Sequence, residues 1–209
     1  MSVDFKIYLI TDRKLFTDNN FFLNAVEDAL KAGIKAVQLR EKDLPVRGLL
    51  DMAYRMREIT ARYGAKLFVN DRLDVAMSAD ADGVHLGHSG IPVSAAKRVV
   101  GEKMMIGVSA HSKDEALEAQ EGGADFITLG PIYKTPSKMK YGEPLGVDFF
   151  KSLAGILSIP VFGIGGIKAD RVLEVMGAGA SGIALISGIL GAADAGAAAK
   201  KYIKAIGAA

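Results

Sequence analysis

Short apolar runs alternate with longer amphipathic stretches along the whole chain, and nearly every run ends in glycine, a charge or an amide. The runs predict strands at Phe5–Ile10, Ile34–Leu39, Lys66–Val69, Gly83–Leu86, Met105–Val108, Asp125–Leu129, Pro160–Ile164 and Gly182–Leu185. Their length and near-continuous apolar character suit parallel strands buried on both faces. Helical patterns lie between them. Phe22, Val26, Ala29 and Leu30 recur at helical spacing behind a cap expected at Asn19-Asn20, and Gly33 closes that helix. Pro45 suits the first turn of a helix to about Tyr63, which Gly64 stops. Leu73–Ser78 and Pro92–Val100 read as further helices, and Ser112 with Glu115 forms a capping box for a helix through Gln120. Helices at Asp148–Leu157, Asp170–Met176 and Ala192–Ile206 complete the set, with Ser187-Gly188 read as a turn.

Eight strand–helix pairs in 209 residues predict an α/β fold, a (β/α)₈ TIM barrel forming one domain over residues 1–209. A doubly wound open sheet would carry the same local signals. Two features favour the barrel. Glycine-rich turns follow strands seven and eight, the usual barrel phosphate site, whereas no GxGxxG follows strand one. Residues of catalytic type are also spread over all the strand ends.

Composition narrows the function classes. A hydrophobic content of 50% supports one substantial core. Zero cysteine excludes disulfides and thiolate chemistry and goes with a reducing, cytoplasmic setting. The N-terminal MSVDFKIYLITDR has no secretory pattern, and no apolar run is long enough to span a membrane. A net charge of +2 and zero tryptophan give no reason to expect nucleic acid. Small molecules are therefore the expected partners; a homodimer is among the states the sequence allows.

Gln38 and Arg40 alternate with Leu39, so both can face the barrel mouth, and Lys42 follows on the same parity. An amide with two cations suits an anionic, hydrogen-bonding substrate; a solvated QLREKD loop is the bland alternative. Asp71, beside Asn70 at the end of strand three, is a natural Mg²⁺ ligand near cations and phosphates, or else a helix cap. Asp74 is expected to make an outward salt bridge. Gly165-Gly166 and Ser187-Gly188 could cradle one phosphate, and Thr135, Ser137 and Lys138 in the long loop Gly130–Gly146 could bind a diphosphate. Lys134 and Lys140 read as solvated. Glycines in Tyr141–Gly146 could hinge a lid. His85, His88 and His111 invite a zinc reading, but His85 between Val84 and Leu86 reads better as a packed core residue.

Together these stretches resemble the thiamine-phosphate synthase and thiazole tautomerase family. The likeness is carried by YLITDR (Tyr8–Arg13), VQLREK (Val37–Lys42), FVNDRLDVAM (Phe68–Met77), ADGVHLG (Ala81–Gly87), GVSAHS (Gly107–Ser112), GADFITLGPIYKTPSK (Gly123–Lys138) and IPVFGIGGI (Ile159–Ile167). It implies a barrel enzyme that couples a hydroxymethylpyrimidine diphosphate to a hydroxyethylthiazole (carboxylate) phosphate and releases diphosphate. It further implies that Gln38 binds the pyrimidine, and that Arg40, Lys42, Asn70 and Lys138 hold the diphosphate. Asp71 would bind Mg²⁺, and Ser109 would bond near the reacting centre. Thr135 with Ser137 would meet the thiazole phosphate, cradled by Gly166, Ile186 and Ser187. The family's second metal-binding aspartate falls on Gly90, which has no side chain to ligate with. Two alternatives stand beside the synthase. One is a thiazole tautomerase with His111 as acid and base; the other is a non-catalytic regulator that binds a phosphate ligand.

Overall fold

The computed structural model describes residues 2–87, 90–135 and 143–208. Eight strands close into a barrel in sequence order: β1 Ile7–Ile10, β2 Ala36–Leu39, β3 Lys66–Asn70, β4 Gly83–Leu86, β5 Met105–Ala110, β6 Phe126–Leu129, β7 Val161–Ile164 and β8 Gly182–Leu185. Every neighbouring pair is parallel, and β8 closes on β1 through Ile7 against Ile183. The open-sheet alternative is thereby excluded. The helices are α1 Asn19–Lys31, α2 Val46–Arg62, α3 Leu73–Ser78, α4 Val93–Val100, α5 Lys113–Glu121, α6 Gly146–Ala154, α7 Val172–Gly177, α8 Ser187–Leu190 and α9 Ala195–Gly207.

Alternation along the strands divides the core in two. Outward residues such as Val37, Leu39, Val69, Val84 and Ile127 pack beneath the helices. Inward residues form a separate cluster of Tyr8, Ile10, Ala36, Phe68, Met105, Phe126, Phe162 and Ala184. Phe5, just ahead of β1, plugs that cluster from the N-terminal end, with ring centroids 5.3–5.9 Å from Tyr8, Phe68, Phe126 and Phe162. Glycines make room for these rings. A Cβ on Gly83 would lie 2.4 Å from Phe68, on Gly107 2.5 Å from Phe126, and on Gly182 2.5 Å from Phe162. Large and small residues thus alternate around the interior, as a closed barrel of this width requires.

Several boundaries move for local reasons. The cap of α1 is Asp18, not Asn19-Asn20, because its carboxylate accepts from the N–H groups of Asn20 and Phe21. Pro45 stands at the cap position before α2, in extended conformation. Ser187-Gly188 opens the short helix α8 instead of forming a turn, and Asp194 caps α9, which begins at Ala195. Strand β5 runs on to Ala110, so Ser109 lies within the ladder opposite Thr128. The Ser112 hydroxyl accepts from Glu115 N–H as expected. The Glu115 carboxylate, however, reaches back to His111 N–H at 2.7 Å, one residue before the cap.

Candidate active site

The strands deliver their polar residues to the C-terminal end of the barrel, above the aromatic plug. Gln38 (β2), His85 (β4) and Ser109 (β5) form the layer nearest the plug; Asn70 ends β3. Gln38 and His85 are each 1% exposed, so their polar atoms need protein partners. The Gln38 amide donates to Tyr8 OH at 3.2 Å, Tyr8 OH lies 3.4 Å from His85 Nδ1, and His85 Nε2 lies 3.0 Å from Ser109 Oγ. Gln38 Oε1 is buried without a hydrogen-bond partner. Burial holds His85 neutral, with its pKa pushed down to about 3. It also raises the Tyr8 phenol well above its usual range. The core reading of His85 therefore holds, while His88 lies outside the described residues.

Asp71 sits just past β3 with φ 58°, a left-handed backbone unusual for a residue other than glycine and often found at functional positions. Its N–H donates to His85 O at 2.9 Å. Its carboxylate accepts from Gly87 N–H and from the Asn70 amide, both at 2.7 Å, and Lys42 Nζ lies 3.6 Å away. These bonds point it across the mouth, and it caps nothing: Arg72 occupies the cap position of α3 and makes no side-chain cap bond. Asp74 pairs with Arg72 at the surface, as expected. Among the described residues no three His, Asp or Glu side chains converge as a metal centre would require. Asp71 is a hard oxygen donor at the mouth, which fits a Mg²⁺ that takes most of its ligands from phosphate oxygens and water, with Lys42 free to turn to the same phosphate. Gly90 leans on the same carboxylate: a Cβ there would stand 3.2 Å from Asp71 Oδ1 and 3.0 Å from Gly87 O.

The QLREKD stretch is not wholly solvated: Lys42 and Asp43 are exposed, but Gln38 and Glu41 are buried. Glu41 is 4% exposed, and its carboxylate accepts from Thr11 Oγ1 at 2.5 Å and from Arg13 N–H at 3.1 Å. Thr11 Oγ1 in turn accepts from Arg40 N–H at 2.9 Å. Glu41 thus ties the exits of β1 and β2 together and fixes the backbone that carries Arg40 and Lys42. Desolvation raises its pKa, partly offset by those hydrogen bonds. Tyr8, Thr11 and Glu41 belong to the site although their residue types alone did not single them out. The inward parity of Tyr8 was the available signal.

On the far side of the mouth, paired strands β7 and β8 bring Gly165-Gly166 beside Ile186-Ser187. Both glycines are left-handed, with φ 95° and 66°, and a Cβ on Gly166 would meet Tyr133 Cβ at 2.8 Å and Lys134 O at 2.9 Å. The loop after β6 docks there: Ile132 N–H donates to Ile164 O, and Tyr133 N–H to Gly165 O. The Tyr133 hydroxyl donates to Glu174 at 2.7 Å, and the Arg171 guanidinium stacks 4.3 Å over its ring. Lys134 pairs with Glu143 in solvent. Thr135 lies at the end of this docked segment. Ser137, Lys138, Lys140 and the Tyr141-Gly142 part of the expected lid lie outside the described residues. His111, after β5, holds its Nδ1 3.2 Å from Glu115, at the start of α5.

The model of the family described as thiamine monophosphate synthase matches residues 7–189. The chain belongs to the thiamine-phosphate synthase family. A relative named putative thiamine-phosphate synthase, from Geobacter sulfurreducens, is 50% identical over 92% of this chain and 90% of its own length. The thiamine-phosphate synthase of Clostridium novyi is 40% identical over 91% of this chain and 93% of its own. A thiamine phosphate pyrophosphorylase from Pyrococcus furiosus superimposes with a TM-score of 0.89 at 36% identity, covering 98% of this chain and 96% of that one. Membership makes the chain an enzyme of the transferase type, and the isomerase alternative built on His111 finds no support among these relatives. No helix among the described residues is long and apolar enough to cross a membrane.

Proposed function

We propose that this chain joins a 4-amino-2-methylpyrimidine carrying a methylene diphosphate to a hydroxyethylthiazole phosphate, or its carboxylate, giving thiamine phosphate and diphosphate. One observation carries the reading: Gln38, Asn70, Asp71, Lys42 and Ser109 gather at one barrel end in a member of this family. Gln38 and Ser109 hold the pyrimidine, while Arg40, Lys42, Asn70 and Lys138 take its diphosphate. The bond from the exocyclic methylene carbon to the diphosphate oxygen breaks with its electron pair leaving on diphosphate. The amino group delocalises the positive charge left on the pyrimidine, and the cations stabilise the charge growing on the leaving group. Gly166, Ile186 and Ser187, with Thr135 and Ser137, hold the thiazole phosphate so that the ring nitrogen can donate its lone pair to the methylene carbon. No protein nucleophile is needed.

Asp71 would hold Mg²⁺ together with diphosphate oxygens and water, and Gly90 supplies nothing to it. When bound, the metal neutralises charge on the diphosphate. A cytoplasmic location goes with phosphorylated small-molecule substrates. Mixing both substrates with Mg²⁺ should yield thiamine phosphate and an equal amount of diphosphate, and chelator should stop both. A folded preparation that forms no thiamine phosphate, or isomerises the thiazole carboxylate phosphate instead, overturns the assignment. Turnover that survives complete removal of Mg²⁺ overturns the metal's role.

A further inference from the structure

Gln38, Tyr8, His85 and Ser109 form one hydrogen-bonded line across the barrel interior, with contacts of 3.2, 3.4 and 3.0 Å. Two of its members have limited hydrogens to share. A phenol has one, and a neutral imidazole has one N–H and one bare nitrogen. With the Gln38 amide donating to Tyr8 OH, the polar atom within reach of the phenolic hydrogen is His85 Nδ1. In that arrangement Nδ1 is bare, and the ring's hydrogen sits on Nε2 and is donated to Ser109 Oγ. The serine's own hydrogen is left over for something else. At the opposite end Gln38 Oε1 is left over as an acceptor, buried and without a partner.

We infer that Tyr8 and His85 are positioning residues that couple the two substrate-facing ends with opposite sign, making Gln38 a fixed acceptor and Ser109 a fixed donor. Reversing the line would require every member to change at once: the amide must flip, the phenol turn, the imidazole change tautomer and the serine turn inward. Surroundings oppose that. Tyr8 is 0% exposed, His85 packs 5.6 Å from the Tyr8 ring and 5.9 Å from Phe126, and Gly107 leaves space for the imidazole where a Cβ would stand 2.6 Å from Nδ1. An acceptor and a donor together match a 4-aminopyrimidine, whose amine donates and whose ring nitrogens accept. They mismatch the 4-oxo analogue, in which the carbonyl accepts and the adjacent ring nitrogen donates.

This inference rests on the proposed coupling reaction for its substrate and its kinetic test, but not for the tautomer test. In the free protein, nitrogen-15 NMR of His85 should show the Nε2–H tautomer; the Nδ1–H tautomer would overturn the assigned polarity. With both pyrimidine diphosphates as substrates, kcat/KM should favour the amino over the oxo form. Tyr8→Phe, which removes the phenolic link without changing shape, should let the amide flip and reduce that preference by about tenfold, the worth of one hydrogen bond. A merely structural role would lower both rates together. An unchanged amino-to-oxo ratio in a folded Tyr8→Phe enzyme overturns the inference. A parent that couples neither pyrimidine sinks the proposed reaction instead, and the His85 tautomer still decides the polarity of the line.

Discussion

Acidifying the protein from pH 7 to pH 5 should remove about 2 kcal/mol of stability through His85 alone. The ring is buried between Tyr8 and Phe126, and its pKa falls from 6.5 to about 3, chiefly through desolvation; Arg40 and Lys42 add to the fall and Asp71 opposes it. The sign follows from where the proton goes. Between those two pKa values the unfolded chain binds a proton that the folded chain refuses, so stability declines as pH drops through that window. At pH 5 the unfolded ring is protonated over its neutral form by about 30 to 1, which corresponds to about 2 kcal/mol. For a domain of this size that is a fall of about 4–8 °C in Tm. Other groups titrate in the same range: Glu41, raised by burial, favours folding at low pH and works against His85. The assay is therefore a comparison. Denaturant melts of the parent and of His85→Gln, taken from pH 7 to pH 5, cancel Glu41 and every other common group in the difference. The variant starts less stable, but its pH slope should be shallower by the stated amount. Equal slopes would mean that His85 takes up a proton in the folded state, and the dry interior argued for it would be wrong.

Gly90→Asp should place a second carboxylate against Asp71, since its Cβ would begin 3.2 Å from Asp71 Oδ1. Melting curves should then show a lower Tm than the parent without Mg²⁺ and a larger rise on adding it; a metal response equal to the parent's would show that a carboxylate at position 90 does not share a metal with Asp71. Gly166→Val meets backbone as well as strain, at φ 66° and 2.8 Å from Tyr133 Cβ, so it should destabilise the fold by about 1–3 kcal/mol and is a poor probe of phosphate affinity alone. Near-parental thermal stability would show that the loop after β6 does not dock there. Glu41→Gln, which keeps an acceptor for Thr11 but loses the charge beside Arg13, should raise KM for the pyrimidine diphosphate by loosening the segment bearing Arg40 and Lys42. Kinetics in which KM stays at the parental value would leave Glu41 a purely structural anchor.

The barrel was legible because each of its rules acts locally. Short apolar runs punctuated by glycine and charge suit buried strands, the helices between them favour parallel pairing, and the glycine turns after strands seven and eight tipped the choice from an open sheet to a barrel. Gln38, Asn70 and Asp71 were legible for the same reason: strand parity and strand ends locate them with no knowledge of partners. Ser109 was not, because its strand runs two residues further than the apolar run that marks it and only the family resemblance singled it out. Glu41 was not. A charge inside QLREKD looks solvated until Thr11 and Arg13, 30 and 28 residues earlier, come down beside it. The left-handed backbone of Asp71 was hidden too, because the conformation is held by Gly87 and His85 from the next strand and leaves no glycine to mark it.

Tyr8 shows why the remaining part of the site could not be read from residue types. On an inward strand position a tyrosine counts as core, and most of its surface is: the ring packs against Phe5, Phe68 and Phe126 at 5.3–5.7 Å. Only its oxygen faces the polar layer. The aromatic plug and the polar line are thus a single arrangement. Phe5 closes the N-terminal end, and Phe68, Phe126 and Phe162 fill the space that Gly83, Gly107 and Gly182 leave open. Water admitted from that side would offer Tyr8 OH and His85 other partners, and it would restore the basicity that burial removes. A substitution opening the plug, such as Phe126→Ala, should therefore act at a distance. It should steepen no pH slope of its own, since phenylalanine does not titrate, yet it should flatten the His85 contribution and weaken amino-over-oxo selectivity together. Loss of one without the other would separate the dryness of the interior from the polarity of the line.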